Sequence, residues 1–142
     1  MSKKAISAAL RQRVAEAARF RCGYCLTSQL AIGPLLEIDH IIPEAHGGSS
    51  EETNLFLACP ICNSHKGDRR SAVDPETQLS APFFNPRTER WGDHFMWSNG
   101  GAVVQGRTAT GRATVSALVM NHPDMIASRR LWVFAGWHPP DE

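Results

Sequence analysis

No apolar run in this 142-residue chain approaches the ~20 residues that a membrane-spanning helix needs. There is also no strong charge excess. Lys and Arg number 15 against 14 acids, a formal net charge of +1, so no global polycation advertises nucleic-acid binding. Repeats and low-complexity segments are absent. The amino-terminal Met-Ser-Lys-Lys-Ala-Ile-Ser is basic, but it leads into Leu10-Arg11-Gln12-Arg13 rather than an apolar leader segment. The expectation is a cytoplasmic chain with reduced cysteines, which disfavours disulfides and favours a metal. One absence is local. Residues 22–58 hold five acids and no Lys or Arg. Residues 1–21, in contrast, carry Lys3, Lys4, Arg11, Arg13, Arg19 and Arg21 against Glu16. Lys66, Arg69 and Arg70 follow later, against Asp68. That distribution predicts a basic patch flanking an acidic loop.

Ordinary composition, 42% apolar and 20% charged, fits one α+β domain over residues 1–142. Ser7 is placed to cap a helix over 8–19, with Leu10, Val14, Ala17 and Ala18 on one face. Residues 26–36 read as loop, with Gly33-Pro34 as a turn signal. Leu35 to Ile42 reads as a strand ended by Pro43. Residues 44–54 read as an exposed loop and Leu55-Phe56-Leu57-Ala58 as a second strand. A helix over 63–70 follows, with Asn63 near its start, where a simple capping role would also suit it. Residues 71–100 contain Pro75, Pro82 and Pro86 and read as irregular connection, packed down by Trp91, His94, Phe95 and Trp97. A strand near 102–106 and a helix near 112–120 come next. Asn121 or His122 then caps a helix with Pro123 at its first position, burying Met125, Ile126, Trp132 and Val133.

The chemistry concentrates around four cysteines. Cys22-Gly23-Tyr24-Cys25 and Cys59-Pro60-Ile61-Cys62 are two knuckles, each able to offer both sulfurs to one tetrahedral ion. Four thiolates close the coordination sphere, leaving no position for water, so a zinc ion there is structural. The rival is a redox pair at Cys22 and Cys25. It fits poorly, because this pair follows a helix rather than the strand of a βαβ unit, and it leaves Cys59 and Cys62 unexplained.

Between and beside the knuckles lie Asp39-His40-Ile41-Ile42-Pro43, Gly47-Gly48, Asn54-Leu55 and Cys62-Asn63-Ser64-His65-Lys66-Gly67. In type, order and spacing they resemble the signature of HNH endonucleases over roughly residues 20–70. Downstream, Phe84-Asn85-Pro86-Arg87, His94-Phe95 and Gly111-Arg112-Ala113-Thr114 are similar to a bacterial subgroup. The resemblance implies a ββα-metal core over 20–70, bracketed by the zinc knuckles, with a helical extension over 71–142 packed on it. It implies His40 as general base, Asp39 and Asn63 as ligands of a catalytic divalent ion, and Asn54 as the residue orienting the loop and His40. Asn63 stands where many members carry His, an H-N-N variant, which leaves open Mg²⁺, Mn²⁺ or a transition metal such as Ni²⁺. His65 is a further candidate ligand. Lys66, Arg69 and Arg70 are candidates for phosphate contacts.

The residues carry the same chemistry on physical grounds. Phosphodiester hydrolysis needs an activated water and charge neutralisation. A neutral imidazole accepts a proton near pH 7, and carboxylate and amide oxygens suit hard divalent cations. The expected partner is DNA, with no membrane and no small-molecule cofactor. The alternative class is a non-catalytic zinc-ribbon module binding DNA or protein.

Overall fold

Ser7 opens the first helix as expected, its hydroxyl accepting from the Leu10 amide, and α1 runs Ala8–Ala17. The structure is a computed structural model that describes residues 6–141. Lys3 and Lys4 lie outside the described residues. Helix α1 buries Val14 against Ile38, Leu55 and Leu57. The stretch read as loop contains a one-turn helix, α2 (Gln29–Ile32), capped by the Ser28 hydroxyl. Strand β1 (Glu37–His40) pairs antiparallel with β2 (Leu55–Ala58), with Asp39 opposite Phe56 and His40 opposite Leu55. Both strands were legible, although β1 is shorter than its apolar run.

Helix α3 (Pro60–Lys66) starts earlier than the sequence suggested. Cys59 is its N-cap, the sulfur accepting from the Cys62 amide, and Pro60 takes the first position, where no amide donor is missed. Asn63 is therefore the fourth helical residue and not a cap, which corrects the capping reading. The second knuckle and the helix start are one structure.

The segment read as irregular connection contains one complete antiparallel hairpin and the opening strand of a second, whose other strand is the one expected near 102–106. Strands β3 (Ser71–Val73) and β4 (Ser80–Pro82) form the first. After the short helix α4 (Trp91–His94), β5 (Phe95–Ser98) pairs with β6 (Val103–Gly106). Helices α5 (Ala109–Ala117) and α6 (Pro123–Phe134) complete the chain, α6 capped by His122 with Pro123 first. The extension is thus mixed α and β rather than helical. It carries one buried polar joint: the Arg112 guanidinium grips fully buried Asp74 through two hydrogen bonds of 3.0 and 2.8 Å, and Thr77 and the Glu76 amide add one each. Met125, Ile126, Trp132 and Val133 are half-buried, while the fully buried residue of α6 is Arg129. Its guanidinium donates to the carbonyls of Ala102 and Met120, tying α6 to the turns before β6 and after α5.

The downstream motifs are the joints of this assembly. Phe84 packs edge-on against His94 and Phe95, and its amide donates to the Thr114 hydroxyl at 3.0 Å. Arg87 donates to the Leu55 carbonyl at 2.8 Å. A Cβ at Gly111 would sit 2.0 Å from the His94 carbonyl oxygen, so only glycine permits that approach. One buried cluster runs from all four cysteines through Phe56, Phe84 and Phe95 to Val104 and Leu118. Among the described residues no helix is long and apolar enough to cross a membrane.

Candidate metal centre and active site

The two knuckles meet beneath the β1–β2 hairpin. Their four sulfurs lie within 4.8 Å of one another, and Cys25 Sγ is 3.7 Å from Cys59 Sγ. Sulfurs each about 2.3 Å from a central ion at tetrahedral corners stand about 3.8 Å apart, close to the 3.7 Å of the Cys25–Cys59 pair. All four cysteines are free and buried. Burial pushes the Cys22 thiol well above its ordinary range. Sulfurs this deep do not all ionise without a cation among them. The surroundings are rigid: the Gly23 amide donates to the Leu57 carbonyl at 2.7 Å, and Thr27 Oγ1 lies 3.1 Å from Cys25 Sγ. A Cβ at Gly23 would meet Pro86 at 2.8 Å, which locks the first knuckle to the extension. The quartet is positioned to bind a metal. Among the described residues it is the one such cluster of cysteine, histidine or carboxylate groups.

A separate, open cleft of about 640 Å³ brings together Asp39, His40 and Asn63. Strand alternation alone would turn Asp39 and His40 to opposite faces. Both nonetheless line the cleft, with His40, the last residue of β1, only 2% exposed. The lining is acidic, with Glu37, Glu44 and Asp68 beside Asp39 and no Lys or Arg. Asp39 Oδ1 accepts from the His40 amide at 2.8 Å. Its Oδ2 is buried and has no hydrogen-bond partner, although Lys66 Nζ lies 3.3 Å away. A carboxylate oxygen held by an ion pair without a hydrogen bond keeps lone pairs for a hard cation. Asn63 Nδ2 donates to Glu37 Oε1 at 3.3 Å, leaving its Oδ1 for a cation.

The loop between the strands is built to hold His40. Asn54 is its clasp: Oδ1 accepts from the Ile42 amide at 2.8 Å, and Nδ2 donates to the carbonyls of Ile42 at 3.0 Å and Ser49 at 2.7 Å. Gly48 lets the chain close, since a Cβ there would lie 1.6 Å from the Ile42 carbonyl oxygen. Closure delivers Ser50, whose Oγ lies 3.1 Å from His40 Nε2. Sequence reasoning missed Ser50. The glycine–serine run ahead of Asn54 marks a tight loop, but nothing in the spacing says which hydroxyl reaches the imidazole.

The remaining candidates fall elsewhere. Lys66, expected as a phosphate contact, is only 2% exposed. Its amine turns inward, donating to the His40 carbonyl at 3.1 Å and facing Asp39. Three residues after Asn63, it shares the helix face turned to the hairpin. His65 is exposed and does not line the cleft, being about 200° around the helix from Asn63. Arg69 and Arg70 are exposed and line a different, smaller depression, with the Arg69 guanidinium over Phe83.

Residues 22–69 match the family model described as HNH endonuclease, 48 of the 142 residues. No curated protein and no solved structure matches the chain. The matched stretch opens at Cys22, closes at Arg69 and contains the sulfur quartet, the Asn54 clasp and the Asp39–His40 cleft. The segment that builds both centres is therefore similar to the HNH endonuclease family.

Proposed function

We propose that this chain hydrolyses DNA phosphodiester bonds, with His40 as general base and one divalent ion held by Asp39 and Asn63. The observation that carries the reading is the convergence of Asp39, His40 and Asn63 on one open cleft inside the HNH-matched segment. Ser50 accepting from Nε2–H would fix the tautomer whose Nδ1 is free to take a proton. In that tautomer His40 removes a proton from a water in line with the scissile bond. The water oxygen bonds to phosphorus, and the bond to the 3′ oxygen breaks. The leaving oxygen takes a proton from solvent, giving 5′-phosphate and 3′-hydroxyl ends. A bound divalent cation would supply charge neutralisation on the phosphate. Oxygen donors with open positions suit Mg²⁺ or Mn²⁺, which keep part of their water shell. Lys66 Nζ, beside Asp39 Oδ2, positions the carboxylate rather than touching the substrate.

The sulfur quartet takes the other role. Four thiolates select zinc, and a closed sphere has no place for substrate. Plasmid nicking by wild type and His40→Ala, with Mg²⁺, Mn²⁺ or Ni²⁺, tests the assignment. Wild type nicks and the variant does not; equal rates in the two proteins sink the catalytic role of His40.

A further inference from the structure

A second cleft, of about 580 Å³, shares no lining residue with the Asp39–His40 cleft. Arg19, Arg21, Arg90 and Arg107 line it, against Asp93 and Asp141. None of the four makes an ion pair among the described residues. Two are aimed by the backbone. The Arg21 guanidinium donates to the carbonyls of Leu26 at 2.9 Å and Trp137 at 3.1 Å, and Arg107 donates to the Gly92 carbonyl at 3.2 Å. Arg19, Arg90 and Arg107 are exposed.

The wall between them is aromatic and apolar. Trp91 stacks on Trp97 with ring centroids 5.0 Å apart and planes 27° apart; Trp97 is also covered by Arg129, 5.7 Å over its ring, and by His138, so Trp91 is the ring that can take a base. Trp91 is fixed by its indole N–H, which donates to the Tyr24 carbonyl at 2.8 Å. Met96, beside them, is 45% exposed.

The charge contrast with the catalytic cleft decides what this surface is for. The Asp39–His40 cleft carries four acids and no Lys or Arg, so by itself it repels a polyphosphate. One divalent ion neutralises the scissile phosphate only, so the flanking strand needs cations elsewhere; the four-arginine cleft offers side chains outside any ion pair among the described residues, two of them held by backbone carbonyls. A positive groove with aromatic walls is the usual surface for single-stranded nucleic acid: cations track the phosphates and π-faces take bases. A stacked duplex presents no base face to such a wall.

We propose that this cleft is a second DNA site taking an unpaired strand, with the arginines on phosphates and a base against Trp91 and Met96. The proposal rests on the nuclease reading only for its biological use; binding is measurable without cleavage. The test uses fluorescence anisotropy on the full chain without added divalent cation, with labelled oligothymidine, a labelled duplex of equal length and a labelled poly-glutamate peptide. Arg90→Ala/Arg107→Ala is compared with wild type, with Arg90→Ala alone as the milder variant. Circular dichroism and zinc content check that each is folded.

The expected result is about a tenfold loss of oligothymidine affinity in the double variant and a smaller loss for duplex. The slope of log K against log salt should fall by about 1.4, roughly 0.7 for each lost phosphate contact. Unchanged oligothymidine binding, equal losses for both DNAs, or tighter binding of the acidic peptide would overturn the proposal. Wild type that binds oligothymidine through these arginines yet cleaves nothing in any metal would overturn the nuclease reading and leave this site standing.

Discussion

The sulfur quartet and the Asp39–His40 cleft sit within one 48-residue segment, and helix α3 serves both. One is sealed and sulfur-lined, with every donor buried; the other is open and oxygen-lined, with a carboxylate oxygen that makes no hydrogen bond and is balanced by Lys66 alone. A site that holds an ion for folding needs all its positions filled by the chain, while a site for hydrolysis must leave room for water and phosphate. Cys59 and Cys62 at the start of α3 set the helix, and the helix then presents Asn63 and Lys66 to the hairpin. The sealed centre therefore positions the open one. The reverse dependence is not expected.

The largest test breaks the sealed side. Cys59→Ser removes a ligand and weakens the cap of α3. Structural zinc is worth about 10 kcal/mol or more in small domains, so the variant should lose zinc and its cooperative melting transition. A soluble, folded, metal-free Cys59→Ser protein, read by circular dichroism and elemental analysis, would remove the structural role. The next test breaks the open side alone. His40→Ala should lose about 10²- to 10⁴-fold in cleavage rate while retaining its zinc. A parallel loss of zinc would mean the two centres are not separable.

Lys66 probes the link between them. Lys66→Met leaves the Asp39 carboxylate buried without its cation, and breaking such a pair costs about 3 kcal/mol. The predicted outcome is a lower melting temperature with zinc still bound; an unchanged melting temperature would show the pair to be dispensable. Ser50→Ala is subtler. Losing one hydrogen bond of about 1 kcal/mol should slow cleavage about fivefold and reshape its pH profile, with no change in melting. A pH profile identical to wild type would deny Ser50 its part in holding the imidazole.

The smallest effect lies outside both centres. Burial holds the His138 imidazole down to about 4, from an ordinary 6.5. The unfolded chain therefore binds a proton more readily than the folded one between those values. Stability from this group is fully present above pH 6.5 and is lost as pH falls toward 4. The Arg112 fork holds Asp74 well below the usual carboxylate range, so its contribution drains only below about pH 4. Melting temperature followed from about pH 7.5 to about pH 5 should decline in wild type and less in His138→Gln. Parallel declines would assign the effect elsewhere.

The contrast between sealed and open centres also explains what the sequence made legible. Donor-bearing residues announce themselves by type and spacing, so both centres and the strand pair were readable from Cys22, Asp39, His40, Asn54 and Cys59. Helix α1 and the His122–Pro123 cap were equally plain, because caps and periodicity are local signals. In the extension β6 was legible as the strand near 102–106, but β3, β4 and β5 were not. Strands β3 and β4 are three residues long and carry no apolar alternation; their ties are long-range, an ion pair of Asp74 with Arg112 across 38 positions and the packing of Ala72 and Phe83 on the core cluster. Lys66 misled for a related reason. A lysine near the end of a short helix normally faces water, and only the tertiary position of Asp39 and the His40 carbonyl turns this one inward. Ser50 depends on loop closure by Asn54 and Gly48, a contact that no periodicity encodes.

The division between the two centres is tested most directly by titrating a chelator into the folded protein while reading nicking, zinc content and circular dichroism together. Two separate thresholds are predicted: nicking is lost first with zinc and fold intact and returns on adding Mg²⁺ or Mn²⁺, and only at higher chelator do zinc and helical signal disappear together. Loss of all three at a single threshold, or nicking that persists until the zinc is gone, would contradict the account.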